Sequence, residues 1–145
     1  MNPNLLCLGN YIAHNGKICL VHKLDTDHAE VIPVADMDTG KEISHFPIHP
    51  KYGEIDGLRI YSRFDSFGFH KSMKRGWQWI YYWGDGYLLL RWDNIKLCLA
   101  LRYYPDNTRK NLYIRIDVLY MHELQNIMRF LTGGEMDFEF KYQNN

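Results

Sequence analysis

The alternation of apolar and polar residues predicts short strands in the first third of the chain. Three runs fit, Tyr11–His14, Lys17–His22 and His28–Pro33. Asn15 and Gly16 separate the first two runs, and because both residue types tolerate the positive φ of a type I′ turn, they predict a β-hairpin. This part is therefore expected to be a small, curled antiparallel sheet, compatible with an SH3-like arrangement.

A long polar connection joins this sheet to the rest of the chain. Residues 35–57 contain two prolines and three glycines and leave room for one short strand, Ile43–Phe46. Connections of this length inside a compact domain are often functional.

A second set of strands, rich in aromatic, leucine and β-branched residues, begins after Gly76. Turn signals separate the strands at regular intervals, which is typical of an antiparallel meander. The four strands are predicted at Trp77–Trp83, Tyr87–Trp92, Ile95–Tyr103 and Asn111–Leu119.

The pattern changes to helical spacing over Tyr120–Thr132. Apolar residues fall on one side and polar ones on the other, so Gln125 and Asn126 are expected to be exposed. Gly133 stands where a left-handed C-cap is needed. After the helix, Met136–Tyr142 alternates again and predicts a final strand at a sheet edge.

Together these elements predict an α+β fold. Its N-terminal part, residues 1–50, is strand-rich, and residues 76–142 form an antiparallel β-meander packed by one C-terminal helix. The 145 residues fit one domain, because single domains usually have about 100 to 150 residues. An apolar content of 46% and a formal net charge of zero argue against intrinsic disorder.

The cysteines and the apolar runs indicate a cellular compartment. No run approaches the roughly 20 apolar residues of a membrane span, and the N-terminus does not resemble a secretory signal. Cys7, Cys19 and Cys98 lie among apolar neighbours without C-x-x-C spacing, so they are expected to be buried, reduced thiols. We therefore expect a cytoplasmic protein that does not associate with membranes.

Sequence patterns for catalysis or metal binding are weak. His45 and His49 have the spacing of two zinc ligands on a helix, but Pro47 between them argues against a helix there. The sequence contains no nucleophile elbow and no glycine-rich phosphate loop. We predict no metal and no cofactor. The balance favours a non-enzymatic protein, and an active site assembled from scattered residues stays an open alternative.

Charge is unevenly distributed along the chain. Residues 1–50 carry three basic and six acidic residues, residues 51–115 carry twelve and six, and residues 116–145 carry two and five. In the basic middle, positive side chains stand beside aromatic ones, as in grooves that bind single-stranded nucleic acid and in protein hot spots. The residues expected to bind a partner are Lys71, Lys74, Arg75, Trp77, Trp79, Arg109 and Lys110.

Only one face of the first meander strand can point outward. Trp77 and Trp79 share a face with Tyr81 and Trp83, whereas the alternate residues occupy the other face. At least one of the two sets is expected in the core. The aromatic residues therefore fill the sheet core, or form a protein interface, or stack on nucleic-acid bases.

Three groups of segments occur in a particular order along the chain. They are Leu8-Gly9-Asn10-Tyr11 with Asn15-Gly16-Lys17, then Phe67-Gly68-Phe69, then Met121–Asn126 with Leu131-Thr132-Gly133. This order resembles a group of uncharacterised small proteins carried by phages and other mobile elements of gut bacteria. In that group a helix usually precedes the Phe-Gly-Phe element, whereas here Gly53 and Gly57 interrupt the segment.

The resemblance implies a context rather than a mechanism. Small proteins of such elements often act stoichiometrically, by binding and blocking a host component such as a CRISPR–Cas effector. We therefore expect a non-enzymatic binding protein of a phage or mobile element, an inhibitor of a bacterial defence complex. One alternative is a module that binds RNA or DNA through the same basic aromatic surface, and another is an enzyme with an unrecognised site. Pairing of sheet edges also leaves a homodimer open.

Overall fold

The computed structural model describes residues 5–60, 63–72, 78–93, 95, 98–105 and 114–143. Nine strands and one α-helix lie within these ranges, together with 3₁₀ turns at Tyr52–Glu54 and Asp65–Phe67. The elements are β1 (Tyr11–His14), β2 (Lys17–Leu24), β3 (Ala29–Asp36), β4 (Asp56–Gly57), β5 (His70–Lys71), β6 (Gln78–Trp83), β7 (Gly86–Asp93), β8 (Cys98–Tyr104), β9 (Ile114–Val118) and α1 (Met121–Leu131).

The strands form two antiparallel sheets. The first has the order β3-β2-β1-β4 and the second is a meander in the order β5-β6-β7-β8-β9. Asn15 and Gly16 have φ values of 48° and 71°, so the predicted hairpin turn is confirmed. Gly133 has a φ of 65° and follows the helix as predicted. The predicted α+β fold class is confirmed.

Both faces of the first sheet are covered. Tyr11 and Ala13 of β1 point into the main core, whereas Ile12 points into a smaller cluster on the opposite face. That smaller cluster includes Tyr52 and Ile55, which follow β3 in the long connection. Part of the connection therefore serves as a cover for the sheet.

The predicted strand Ile43–Phe46 is wrong, because these described residues form no strand. The connection pairs with β3 through isolated bridges rather than a continuous ladder, from Glu42 to Ala35 and from Ile48 to Val31. Pro47 lacks the backbone N–H that a continuous ladder needs at that point. Before Phe64, the described residues from 52 onward contain no α-helix.

The main core lies between the two sheets and receives the helix. Leu124 and Met128 of α1 are fully buried in it, as the apolar stripe predicts. The other large contributors are Phe64, Phe67, Phe69, Leu88, Leu90, Leu99, Leu101, Val118, Met136, Phe138 and Phe140.

The C-terminal segment alternates as predicted but is not a strand. Residues 136–143, all within the described part, pair with no sheet edge. Met136, Phe138 and Phe140 are buried, while the residues between them are exposed. The backbone is held by scattered hydrogen bonds instead, such as the one that the Phe140 N–H donates to the Tyr11 hydroxyl at 3.2 Å. Burial of alternate side chains, rather than pairing with a strand, therefore holds this C-terminal tail, residues 136–143, in position.

The expectation that Gln125 and Asn126 are exposed is wrong. The Gln125 side chain is fully buried and accepts a hydrogen bond from the Tyr11 N–H at 2.8 Å. It donates to the Gly9 carbonyl at 3.0 Å. Asn126 is partly buried and donates to the Leu5 carbonyl at 2.9 Å. The polar side of the helix therefore anchors the N-terminal segment.

The cysteines differ from one another. Cys19 is fully buried, as expected, and burial raises the pKa of its thiol to about 11. Cys7 is exposed, so its predicted burial is wrong, because the segment before β1 leaves this position at the surface. The side chain of Cys98 lies outside the described part of the structure.

Candidate interaction surface

The two faces of the meander have different compositions. Residues opposite each other on neighbouring antiparallel strands point to the same side, so the register assigns every side chain to a face. Leu88 and Leu90 of β7 pair with Tyr103 and Leu101 of β8 and are buried in the core. The alternate residues point away from the core and form the outward face.

Three tyrosines form one continuous row on the outward face. Tyr82 pairs with Tyr87 across β6 and β7, and Tyr87 pairs with Tyr104 across β7 and β8. The side chain of Tyr82 is 66% exposed, and the other two are partly exposed. The row lies at the end of the sheet where Gly84 and Asp85 join β6 and β7.

Two further rows place arginines on the same face as the tyrosines. Ile80, Leu89 and Arg102 form the next row, in which Leu89 pairs with both neighbours. Arg91, which is exposed, lies in the row after that, next to Ala100. We call the outward side chains Ile80, Tyr82, Tyr87, Leu89, Arg91, Arg102 and Tyr104 the tyrosine face.

The rings of the row are packed against each other. The ring centroids of Tyr87 and Tyr104 are 4.6 Å apart with an interplanar angle of 20°, so each covers one face of the other. Burial, and then the neighbouring Tyr104 and Tyr82, raise the pKa of Tyr87, which keeps its phenol protonated. The row therefore presents aromatic rings and hydroxyl groups, which both donate and accept hydrogen bonds.

Two of the predicted partner-binding residues lie in the described part of the structure. Trp79 points toward the core and stacks on Phe64, with ring centroids 4.2 Å apart and an interplanar angle of 15°. Lys71 is exposed and pairs with Trp79 at the sheet edge. The remaining predicted residues, Lys74, Arg75, Trp77, Arg109 and Lys110, lie outside the described residues.

The residues of the tyrosine row are not among those predicted from the sequence to bind a partner. The signal that could have found them is the Gly84-Asp85 turn, because a two-residue loop fixes the hairpin register and aligns Tyr82 with Tyr87. The sequence predicts a strand at Tyr87–Trp92 but does not give the register of this strand with the preceding one.

The histidines considered as metal ligands are dispersed. His45 and His49 lie in an irregular segment, 3.2 Å from Glu42 and 3.5 Å from Glu30 respectively. In the ranges that the structure describes, no three His, Cys, Asp or Glu side chains are grouped so as to hold a metal ion. Within the same ranges, no helix combines the length and the hydrophobicity needed to cross a membrane.

Comparisons with known proteins assign no family to the chain. No protein-family model, no curated protein and no solved structure matches it significantly.

Proposed function

We propose that this is a non-enzymatic binding protein that engages a partner protein through the tyrosine face. The observation that carries the proposal is the row Tyr82, Tyr87 and Tyr104 on the outward face of a sheet, with Arg102 in the next row and Arg91 in the row after that. Tyrosine and arginine are enriched among the residues that dominate binding energy at protein interfaces. A sheet presents them on a rigid support, which lowers the entropic cost of binding.

The geometry of the row favours a protein partner over nucleic acid. A base that stacks on a sheet needs the open face of an aromatic ring. Tyr87 and Tyr104 already stack on each other, so each has one ring face covered. Aromatic rings and phenol hydroxyls suit the mixed apolar and hydrogen-bonding contacts of a protein interface.

The resemblance to small proteins of phages and mobile elements supports an inhibitory role. In this proposal the protein binds one copy of a component of a bacterial defence complex, such as a CRISPR–Cas effector, and blocks it stoichiometrically in the cytoplasm. A stoichiometric mechanism needs a surface and no catalytic group, which agrees with the weak catalytic patterns of the sequence.

The test compares a variant of the tyrosine face with a matched surface variant. Tyr82→Ala combined with Arg91→Glu alters two exposed positions, whereas Phe130→Ala removes an aromatic ring that is 86% exposed on the helix. Each protein is used to capture partners from a bacterial lysate, and a captured protein is then titrated with purified material. We expect a fixed stoichiometry that is retained by Phe130→Ala and a loss of binding of about tenfold or more in the double variant. Equal binding by all three proteins would contradict the proposal.

A nucleic-acid-binding module is the second candidate, because arginines lie beside aromatic rings on this face. Titration with single-stranded RNA and DNA at two salt concentrations, followed by tryptophan fluorescence, distinguishes it. Binding that weakens steeply with salt and is reduced in Lys74→Ala/Arg75→Ala would favour nucleic acid, because neutralised phosphates release counterions.

A further inference from the structure

A cavity lies between β4 and the first turns of α1, away from the tyrosine face. Its volume is about 580 Å³, within the range of roughly 300–1,000 Å³ that is usual for small-molecule sites. Leu5, Ile55 and Ile127 supply an apolar wall. Such a wall suits the apolar body of a small organic ligand.

Two parallel rings form another wall of the cavity. Tyr120 and His122 stack with centroids 5.7 Å apart and an interplanar angle of 13°. The ring of Tyr120 also lies against Gly57, where a Cβ atom would come within 2.4 Å of a ring carbon. The backbone of β4 and the imidazole therefore hold the tyrosine ring in place.

His122 is the unusual residue of this wall. Its side chain is 3% exposed, and among the described residues its enclosed Nδ1 has no hydrogen-bond partner. Burial lowers the pKa of His122, so the imidazole is neutral. An enclosed polar atom without a partner is costly for the fold, and a ligand that donates a hydrogen bond to it would remove that cost.

The charges at the cavity are negative. Asp56 and Glu123 line it, and none of its described lining residues is a lysine or an arginine. Glu123 is fixed in position because its Oε1 accepts hydrogen bonds from the N–H groups of Tyr120 at 2.9 Å and Leu119 at 3.2 Å. The start of a helix alone would favour an anion, but two carboxylates reverse that preference.

We propose that this cavity binds a small organic amine, with its apolar body against Leu5, Ile55 and Ile127 and its ammonium group at Asp56 and Glu123. The stacked rings of Tyr120 and His122 add an aromatic surface, which attracts cations. The ligand is bound without a covalent step. The site is independent of the tyrosine face, so either proposal can fail alone.

The test uses the full chain with ¹³C-labelled isoleucine methyl groups and three probes of similar shape. 2-Phenylethylamine is the cationic probe, 2-phenylethanol the neutral one and 3-phenylpropanoate the anionic one. We expect the amine to shift the methyl signals of Ile55 and Ile127, while the signal of Ile32 in β3 stays unchanged. We expect the dissociation constants of the alcohol and the acid to be at least about fivefold higher than that of the amine, because neither can form the ion pair. Binding of either as tight as that of the amine, or no shift with the amine, would overturn the proposal.

A charge variant separates the cavity from general attraction to an acidic surface. Asp56 is exposed, so Asp56→Asn preserves the fold and should weaken amine binding about threefold to fivefold, the size of one partly exposed ion pair. Asp38→Asn makes the same charge change at an exposed position that does not line the cavity. Equal weakening by both variants would show that net charge alone attracts the amine and would overturn the site.

Discussion

A single buried amide joins three parts of the chain. Gln125 contacts the Tyr11 N–H at the start of β1, the Gly9 carbonyl before it and the Asp137 carboxylate in the tail at 3.1 Å. Its side chain lies at the centre of a small polar network that also includes the pair of Arg129 and Asp137 at 2.7 Å. Since the Tyr11 N–H would lose its acceptor without the amide, the network fixes how the helix meets the N-terminal segment.

Replacement of Gln125 should therefore be costly. In Gln125→Ala the Tyr11 N–H stays buried without an acceptor, so we expect the free energy of unfolding to fall by about 2–4 kcal/mol. Urea denaturation measures this difference. Glu139→Ala, at an exposed position of the tail, is the control and should change stability by less than about 0.5 kcal/mol. A loss of the same size in both variants would contradict the role given to the amide.

His28 carries the clearest pH-dependent contact of the surface. Its Nδ1 lies 2.7 Å from Asp27 and its Nε2 lies 3.1 Å from Asp25. The hydrogen bond with Asp27, and after it the charges of both carboxylates, raise the pKa of His28 despite some desolvation. Because the folded value is raised, this contribution to stability is fully present below the unfolded pKa, about 6.5, and is lost as the pH rises through the folded value.

An NMR titration of the imidazole checks this contact. Asp27→Asn replaces the charged hydrogen-bond acceptor of His28 with a neutral, weaker one, so the pKa of His28 should fall toward its ordinary value. Asp38→Asn changes the same charge elsewhere on the surface and should leave the titration of His28 as it is. If the titration midpoint of His28 is unchanged in Asp27→Asn, Asp25 alone is responsible for the raised pKa.

At the scale of the elements, the meander depends on a close approach between two strands at the tyrosine row. A Cβ atom on Gly86 would lie 2.2 Å from the carbonyl oxygen of Tyr104 and 2.6 Å from that of Pro105. Only glycine fits there without a shift of the backbone. The first residue of β7 therefore sets how closely the row can pack.

Gly86→Ala should destabilise the protein by about 1–3 kcal/mol, because the added methyl group meets backbone atoms that cannot rotate away. It should also disturb the stack of Tyr87 and Tyr104, which near-ultraviolet circular dichroism detects. Gly53→Ala is the matched control, since a Cβ there meets no atom within 4 Å. Similar spectra and midpoints for both variants would show that the strands can separate without cost.

The elements with strong local patterns could be predicted from the sequence. The Asn15-Gly16 hairpin and the helix that ends before Gly133 follow from turn chemistry and apolar spacing, and the structure contains both. The burial of Gln125 could not be predicted, because Tyr11 and Gly9, which its amide contacts, lie more than 100 residues away and no local pattern reports them. The tyrosine row was missed for a similar reason, since it appears only when the register of neighbouring strands is known.

At the scale of the whole molecule, one core joins both sheets. Ile18 and Val34 of the first sheet share it with Leu90 and Leu99 of the meander and with Met128 of the helix. A shared core makes each sheet depend on the other for the burial of its apolar face. The single domain predicted from the length of the chain is therefore open to a direct test.

We expect the two sheets to unfold together. All four tryptophans lie between residues 77 and 92, so their fluorescence reports on the meander. The Cys19 thiol reports on the first sheet, because its burial protects it from alkylation until the sheet opens. Peptide mapping distinguishes alkylation of Cys19 from alkylation of Cys7 and Cys98. The urea concentration at which half of Cys19 is alkylated should coincide with the midpoint of the fluorescence transition. Two distinct midpoints would indicate two units.

The C-terminal tail, residues 136–143, restricts which insertions and deletions homologous sequences can contain. Two strands in a hydrogen-bonded ladder can shift their register by two residues and keep the same side chains buried. Residues 136–140 are instead held in position by side chains that alternate between core and solvent. Substitutions at Glu139 leave that alternation intact. The gain or loss of one residue between Gly134 and Phe138 would turn Phe138 and Phe140 outward together. Homologous chains should therefore vary freely at the solvent-facing position 139 while conserving the length of this segment, or changing it by two residues at once.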